Sequence, residues 1–118
     1  MENHGNHSGN GKWVADVMKA VDLEHCGTLP EFQNFQDYDP YLGVKEMMPW
    51  PKIVCAKSKD FDAEGNETNV DFRRMLKIVK DSGFRGYIGI EFEGHGMDPV
   101  VGINATKHLI QKVMAELG

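Results

Sequence analysis

The sequence predicts an α/β fold in which parallel strands alternate with outer helices. Short apolar runs, typical of buried strands, alternate with segments whose apolar residues follow helical spacing. The alternation occurs four times in 118 residues, and each repeat has about 25 to 35 residues, the size of one βα unit. Four βα units are half of an eight-stranded barrel, so we expect residues 1–118 to form one partial TIM-barrel domain.

The first half of the chain has the less regular pattern. Its predicted elements are a strand end at residues 1–2, a Gly-rich loop at 4–12, a helix at 13–21, a strand at 26–32, a loop at 33–43 and a short helix at 44–50. Pro30 weakens the second strand, and Pro49 with Pro51 stops the short helix. Because the first strand is cut at Met1, we expect the chain to begin in the middle of a fold.

The second half has clearer signals. Its predicted elements are a strand at residues 53–58, a loop at 59–66, a helix at 70–80, a strand at 87–92 and a final helix at 99–117. Thr68 or Asn69 is expected to cap the first of these helices, and Gly83 follows its end. Asp98 is the predicted N-cap of the final helix, with Pro99 at the first helical position.

Acidic side chains stand at three of the four predicted strand ends. These are Glu2, Glu31 and the pair Glu91 and Glu93, while Lys57 ends the remaining strand. Strand ends of a parallel barrel face one cavity, so three carboxylates there predict an oxygen-rich site for Mg²⁺ or Mn²⁺. The alternative is that each acid is solvated in a loop. Lys57 is expected to be a charge partner, a ligand of substrate oxygen or a general acid, or else a surface lysine.

Three further patterns carry less weight. His4 and His7 lie in the Gly-rich loop, where contact with solvent or substrate is favoured over a zinc site. Residues 60–71 resemble a calcium-binding EF-hand loop, but a strand precedes them and the bidentate Glu is missing, so a polar turn is favoured. Cys26 and Cys55 lack the spacing of a metal or redox pair and are expected to be free thiols.

Composition excludes some function classes. The net charge of −5 argues against sequence-independent binding of nucleic acid. No apolar run approaches the roughly 20 residues of a membrane span. The N-terminal residues lack the apolar core of a signal peptide, so we expect a cytoplasmic protein.

Several stretches together resemble one superfamily. They are ENHG from Glu2, GTLPEFQNF from Gly27, VCAKSKDFD from Val54 and GYIGIEFEG from Gly86. In this order they resemble the xylose isomerase-like TIM-barrel superfamily, which contains sugar phosphate isomerases and epimerases and the family 2 AP endonucleases. The resemblance covers nearly the whole chain and corresponds to the C-terminal half of that barrel, strands five to eight.

The resemblance implies roles for particular residues. It implies metal ligation by Glu2, Glu31 and Glu91, catalytic roles for Glu2, Lys57 and Glu91, and substrate contacts by Asn34, Glu93 and His4. The implied cofactor is a divalent metal, Mn²⁺ or Mg²⁺ before Zn²⁺. One position departs from the pattern, because Cys55 stands where the superfamily has a histidine ligand. A thiol is a soft ligand and matches hard carboxylates poorly.

The implied function is that of a sugar phosphate isomerase or epimerase. The metal would assist proton transfer alpha to a carbonyl of a small sugar or polyol-like substrate. One alternative is a catalytically inactive relative that binds sugar or metal, which the substitution at Cys55 favours. Another is an AP endonuclease-like phosphodiesterase, which the acidic charge disfavours. A half barrel exposes strand edges, so we also expect a homodimer or higher homo-oligomer.

Overall fold

The computed structural model describes residues 1–118 as a small α/β fold with a two-stranded parallel sheet. In chain order the elements are α1 (Gly11–Val21), α2 (Pro40–Met47), β1 (Val54–Ser58), α3 (Phe72–Asp81), β2 (Ile88–Phe92) and α4 (Pro99–Leu117), with a short 3-10 helix at Asn6–Gly9 before α1. The sheet register places Lys57 of β1 opposite Glu91 of β2. No helix has the length and apolar character needed to cross a membrane.

The prediction of a four-stranded C-terminal half barrel is wrong, because only two of the four predicted strands form. Residues 1–2 and 26–32 make only isolated parallel bridges, which pair Glu2 with Leu29, Thr28 with Pro51 and Glu31 with Cys55. Leu29 donates its backbone N–H to the carbonyl of Met1, whereas Pro30 has no N–H and only accepts, from Cys55. The bridges are isolated rather than consecutive, so these residues form no continuous ladder.

The first two helices begin earlier than the sequence predicted. The side chain of Asn10 accepts from the backbone N–H of Trp13, so α1 starts inside the predicted loop at residues 4–12. Asp39 accepts from the backbone N–H groups of Tyr41 and Leu42, with Pro40 at the first helical position. This cap starts α2 inside the predicted loop at residues 33–43.

The caps of the last two helices give one correction and one confirmation. Asp71 caps α3 by accepting from the N–H groups of Arg73 and Arg74, so neither Thr68 nor Asn69 is the cap. Asp98 caps α4 with Pro99 following, as predicted. The two strands agree with the sequence to within one residue at each end.

The core lies on one face of β1, where α2, α3 and α4 pack against it. Its buried apolar side chains are Phe32, Val44, Met48, Val54, Ala56, Val70, Phe72, Met75, Leu76, Val79, Leu109 and Val113. Phe32 and Phe72 meet edge to face with ring centroids 5.4 Å apart. The hydroxyls of Ser58 and Thr106 lie 2.5 Å apart and join the end of β1 to α4. These contacts fix β1 from the helical side.

Helices α1 and α2 meet at two glycines. A Cβ atom built on Gly11 would lie 2.5 Å from Cα of Gly43 and 2.8 Å from its carbonyl oxygen. Both atoms belong to the backbone, so no side-chain rotation can relieve such a clash. The close approach of the two helices therefore requires that position 11 lack a side chain.

We expect Gly11→Ala to lower the free energy of unfolding by about 1–3 kcal/mol, the usual cost of overpacking a close contact. Urea denaturation followed by circular dichroism measures the loss. Gly96→Ala is the matched control, because a Cβ there meets no atom within 4 Å. Equal midpoints for the two variants would contradict this view of the helix contact.

Candidate functional site

The candidate site is centred on Lys57, at the carboxyl end of β1. Side chains alternate along a strand, so Cys55 and Lys57 point away from the core face that holds Val54 and Ala56. The side chain of Lys57 is nevertheless only 2% exposed. A buried ammonium is costly unless it is paired, so its neighbours determine whether the site is stable.

Three side chains surround the ammonium of Lys57. Its Nζ lies 2.9 Å from Oε2 of Glu93 and 3.5 Å from Oε1 of Glu91, and it donates to Oδ1 of Asn34 at 3.1 Å. Burial opposes the charge of Lys57, but the bond to Glu93 and the nearby carboxylates together raise its pKa. The same bond lowers the pKa of Glu93. Both groups of this pair are therefore charged at neutral pH.

Glu31 is fully buried beside this cluster. Its Oε1 accepts from the backbone N–H of Gln33 at 2.6 Å, whereas its buried Oε2 has no hydrogen-bond partner. Burial raises the pKa of Glu31 to about 7, with the hydrogen bond from Gln33 and the charge of Lys57 opposing the rise. The buried Nδ2 of Asn34 also lacks a partner. The site thus contains one free acceptor and one free donor next to a fixed positive charge.

Cys55 lies between the carboxylates of Glu31 and Glu91. Its Sγ donates to Oε2 of Glu91 at 3.6 Å. Burial, together with the negative charges of Glu31 and Glu91, raises the pKa of Cys55 to about 12. The group is therefore a neutral thiol, which is both a weak nucleophile and a weak metal ligand.

The remaining predicted site residues lie further out. Glu2 is half-buried at the margin, and its charge helps to raise the pKa values of Glu31 and Cys55. His4 is exposed, and its hydrogen bond to Ser8 uses the backbone N–H rather than the imidazole. Of the predicted site residues, the structure brings together Glu31, Asn34, Lys57, Glu91 and Glu93. Glu2 lies at the edge of this cluster, and His4 is exposed to solvent.

Asn3 positions Glu31, a role that the sequence analysis missed. Asn3 is fully buried, and its Nδ2 donates to the carbonyl of Glu31 at 2.9 Å. Its Oδ1 accepts from the backbone N–H of Glu31 at 2.8 Å. One side chain thus replaces the two bonds of a strand partner. No sequence pattern separates Asn3 from the loop residues that follow it.

Glu67 anchors the loop after β1 and was also missed. Its Oε2 accepts from the backbone N–H groups of Asn69 and Val70, both at 2.7 Å. Its Oε1 accepts from Nε2 of Gln33 at 3.0 Å, and the same Nε2 donates to the carbonyl of Lys57 at 3.1 Å. Glu67 therefore links the loop to the segments that carry Glu31 and Lys57.

The run at residues 60–71 forms the polar turn that the sequence favoured. Oδ1 of Asp62 accepts from the backbone N–H groups of Glu64 and Asn66. These bonds lie within the turn, and hydrogen bonds from this turn hold the pKa of Asp62 below its usual range. The carboxylate thus serves to close the turn.

The divalent metal implied by the resemblance does not fit the donor set. No three His, Cys, Asp or Glu side chains converge on a point where they could hold an ion. The ammonium of Lys57 lies against two of the carboxylates, and Cys55 supplies a neutral thiol in place of an imidazole. The side chains at this site therefore have to supply the charges and hydrogen bonds that act on a ligand.

We expect Glu67→Gln to lower the free energy of unfolding at pH 7 by about 1.5–3 kcal/mol, since bonds to a buried carboxylate are lost. Burial opposes ionisation of Glu67, but the bonds from Asn69, Val70, Gln33 and Lys59 outweigh it and lower the pKa below 4.5. The stabilisation is therefore full above pH 4.5 and disappears as the pH falls through the lowered pKa.

The measurement is urea denaturation of both proteins between pH 3 and pH 7, where wild type should lose more stability towards acid than the variant. Glu64→Gln, an exposed substitution in the same loop, is the control. Parallel acid profiles for wild type and Glu67→Gln would contradict the assignment.

Comparison with known proteins gives one informative relative. No family model matches the chain. The chain is 31% identical over 77 aligned residues to the C-glycoside deglycosidase alpha subunit of Arthrobacter globiformis. The alignment covers 60% of this chain and 22% of that protein, so the chain spans about a fifth of the relative's length. The chain is thus similar to part of a subunit of a sugar-acting enzyme.

Proposed function

We propose that this chain acts in a sugar-processing enzyme and moves a proton next to a carbonyl group of a small sugar or polyol-like substrate. The observation that carries the proposal is the buried Lys57 with a free acceptor on Glu31 and a free donor on Asn34 beside it. The similarity to the C-glycoside deglycosidase alpha subunit supports a carbohydrate substrate. Proton transfer of this kind is what the resemblance to the xylose isomerase-like superfamily implies.

The free polar atoms suit neighbouring oxygens of a sugar. Both atoms are buried, so a sugar reaches them only when the exposed side chains of Glu91 and Glu93 move aside; a hydroxyl group would then donate to Oε2 of Glu31, and an oxygen would accept from Nδ2 of Asn34. Adjacent oxygens on a sugar carry both functions. Glu91 and Glu93 have side chains that are 44% and 51% exposed, so a ligand would reach the cluster from their side.

The proposed proton transfer uses the carboxylate of Glu91 as the base. The base takes the proton from the carbon next to the carbonyl, and the C–H electron pair enters an enediolate whose oxygen becomes negative. The ammonium of Lys57 stabilises that oxygen. Glu2 takes a proton from water and returns it to carbon, while Glu91 releases its proton to solvent. Return to the opposite face of the same carbon gives the epimer. Return to the former carbonyl carbon gives the aldose or ketose isomer, because the proton of the neighbouring hydroxyl then moves to the enediolate oxygen and a new carbonyl forms.

The other groups of the site hold the reacting ones in place. Glu93 neutralises Lys57, because its Oε2 lies 2.9 Å from Nζ of Lys57, the shorter of the two carboxylate contacts of this ammonium. Asn34 accepts a hydrogen bond from the same ammonium and keeps its own donor for the substrate. His4 is exposed next to Glu2 in the sequence and is proposed as an outer contact of the sugar.

A second candidate is a relative that binds sugar without converting it. The neutral thiol of Cys55 favours this candidate, because it adds no charge that could assist a proton transfer. Lys57 is also already neutralised by Glu93, which weakens its hold on a developing oxyanion. This candidate predicts binding with no exchange of carbon-bound hydrogen.

We expect wild type to exchange the hydrogen next to the carbonyl of a sugar or sugar phosphate with solvent deuterium. Glu91→Gln should slow this exchange by about 10²- to 10⁴-fold, the usual contribution of a general base. Proton NMR in D₂O, over a panel of aldoses, ketoses and their phosphates, measures the rate. Glu64→Gln is the matched control, because Glu64 is exposed in the turn that follows β1.

Ligand-observed NMR on the same samples reports binding separately. Exchange that persists at the wild-type rate in Glu91→Gln would refute the role of Glu91. Binding without exchange in wild type would favour the second candidate. Absence of both binding and exchange over the whole panel would refute the proposed function.

A further inference from the structure

We infer that Lys57 takes the place of a divalent metal ion, so that this site binds its ligand with a cation built into the protein. This inference rests on one part of the proposed function, namely that the side chains around Lys57 bind a ligand. Its evidence is the position of the ammonium, the donor set around it and the unpartnered oxygen of Glu31.

The ammonium of Lys57 occupies a buried position among oxygen atoms. It is 2% exposed, donates a hydrogen bond to Oδ1 of Asn34 at 3.1 Å, and forms ion pairs with Glu93 at 2.9 Å and Glu91 at 3.5 Å. The positive charge is therefore held at one place by oxygen atoms, as a metal ion would be.

Repulsion between positive charges disfavours a metal ion at the cluster. A divalent ion bound to the carboxylate of Glu91 would lie within a few ångströms of the Lys57 ammonium, because the carboxylate would contact both. Lys59 adds a second ammonium, with Nζ 3.5 Å from Oε2 of Glu93. Two lysines therefore share the Glu93 carboxylate and disfavour entry of a further cation.

The donor set also disfavours Mg²⁺ and Mn²⁺, which prefer hard oxygen ligands. Cys55 is paired across the sheet with Glu31, and its Sγ donates a hydrogen bond to Glu91 at 3.6 Å. A thiol must lose this proton before it can ligate a metal, and it would then be a soft ligand between two hard carboxylates.

The unpartnered Oε2 of Glu31 shows that the cluster is more than a set of ion pairs. This oxygen is fully buried, yet neither Lys57 nor any other donor reaches it. A buried carboxylate oxygen without a partner is rare in folded proteins and calls for a donor. A sugar hydroxyl that entered past the exposed side chains of Glu91 and Glu93 would supply this donor without a metal.

The test is a metal titration of the full chain after treatment with EDTA. Titration with Mn²⁺, followed by the electron paramagnetic resonance of free Mn²⁺, should give a Kd weaker than about 1 mM, and Mg²⁺ or Zn²⁺ should give no calorimetric heat at this level. EDTA should leave sugar binding and deuterium exchange unchanged. Micromolar binding of Mn²⁺ that Glu31→Gln removes would overturn the inference.

A pair of substitutions tests the cause. Cys55→His with Lys57→Met removes the built-in cation and adds an imidazole, so we expect Mn²⁺ to bind at least about tenfold more tightly than to wild type. Cys55→His alone is the matched control, because it adds the same imidazole and keeps the ammonium of Lys57. Equal Mn²⁺ affinity for the two folded variants would overturn the inference, and the wild-type titration decides it should either variant not fold.

The outcomes separate this inference from the proposed function. Deuterium exchange that EDTA abolishes and Mn²⁺ restores would overturn the role of Lys57 and leave proton transfer standing. Failure to exchange or bind any sugar, together with no metal binding, would refute the proposed function and leave the assignment of Lys57 as the internal cation.

Discussion

The burial of one ammonium group, that of Lys57, is the constraint on which the rest of the site depends. Removing a charge from water is costly unless opposite charges and hydrogen bonds replace the lost hydration. The parallel register meets this need by placing Glu91 directly across from Lys57, and Glu93, the residue after the end of β2, lies 2.9 Å from the ammonium. Asn34, which lies in a loop, provides the third oxygen next to the ammonium. The carboxylates would repel one another without this ammonium, so the cation holds the cluster together.

The alternation of β1 couples this polar cluster to the stability of the fold. Val54 and Ala56 face the helices and are fully buried, whereas Cys55 and Lys57 face the opposite side. A shift of register by one residue would place the ammonium in the apolar core. The packing of α3 and α4 therefore selects the register that assembles the site, and the hydroxyl pair of Ser58 and Thr106 reinforces it.

The sequence predicted the features that local chemistry determines. Apolar runs bounded by turn residues gave β1 and β2 to within one residue, and Asp98 was identified as a cap from its neighbour Pro99. The prediction from sequence failed where contacts between distant residues determine the structure. The residues around Pro30 have strand composition but form only isolated bridges, and Pro30 has no N–H to donate to a ladder. Asn3 lies 28 residues from Glu31, and Glu67 lies 34 residues from Gln33, separations over which propensity and periodicity carry no signal.

Glu91 and Glu93, the two exposed carboxylates of the cluster, lie at different distances from the Lys57 ammonium, and this difference gives them different roles. Oε2 of Glu93 lies 2.9 Å from the ammonium, a normal distance for a charge-assisted bond, so Glu93 serves to neutralise Lys57. Glu91 meets Lys57 only at 3.5 Å and accepts from the thiol of Cys55 at 3.6 Å, both long contacts. A carboxylate held this loosely keeps its lone pairs available for a proton from a substrate. Because Cys55 is a neutral donor, it orients Glu91 without withdrawing the negative charge that a base requires.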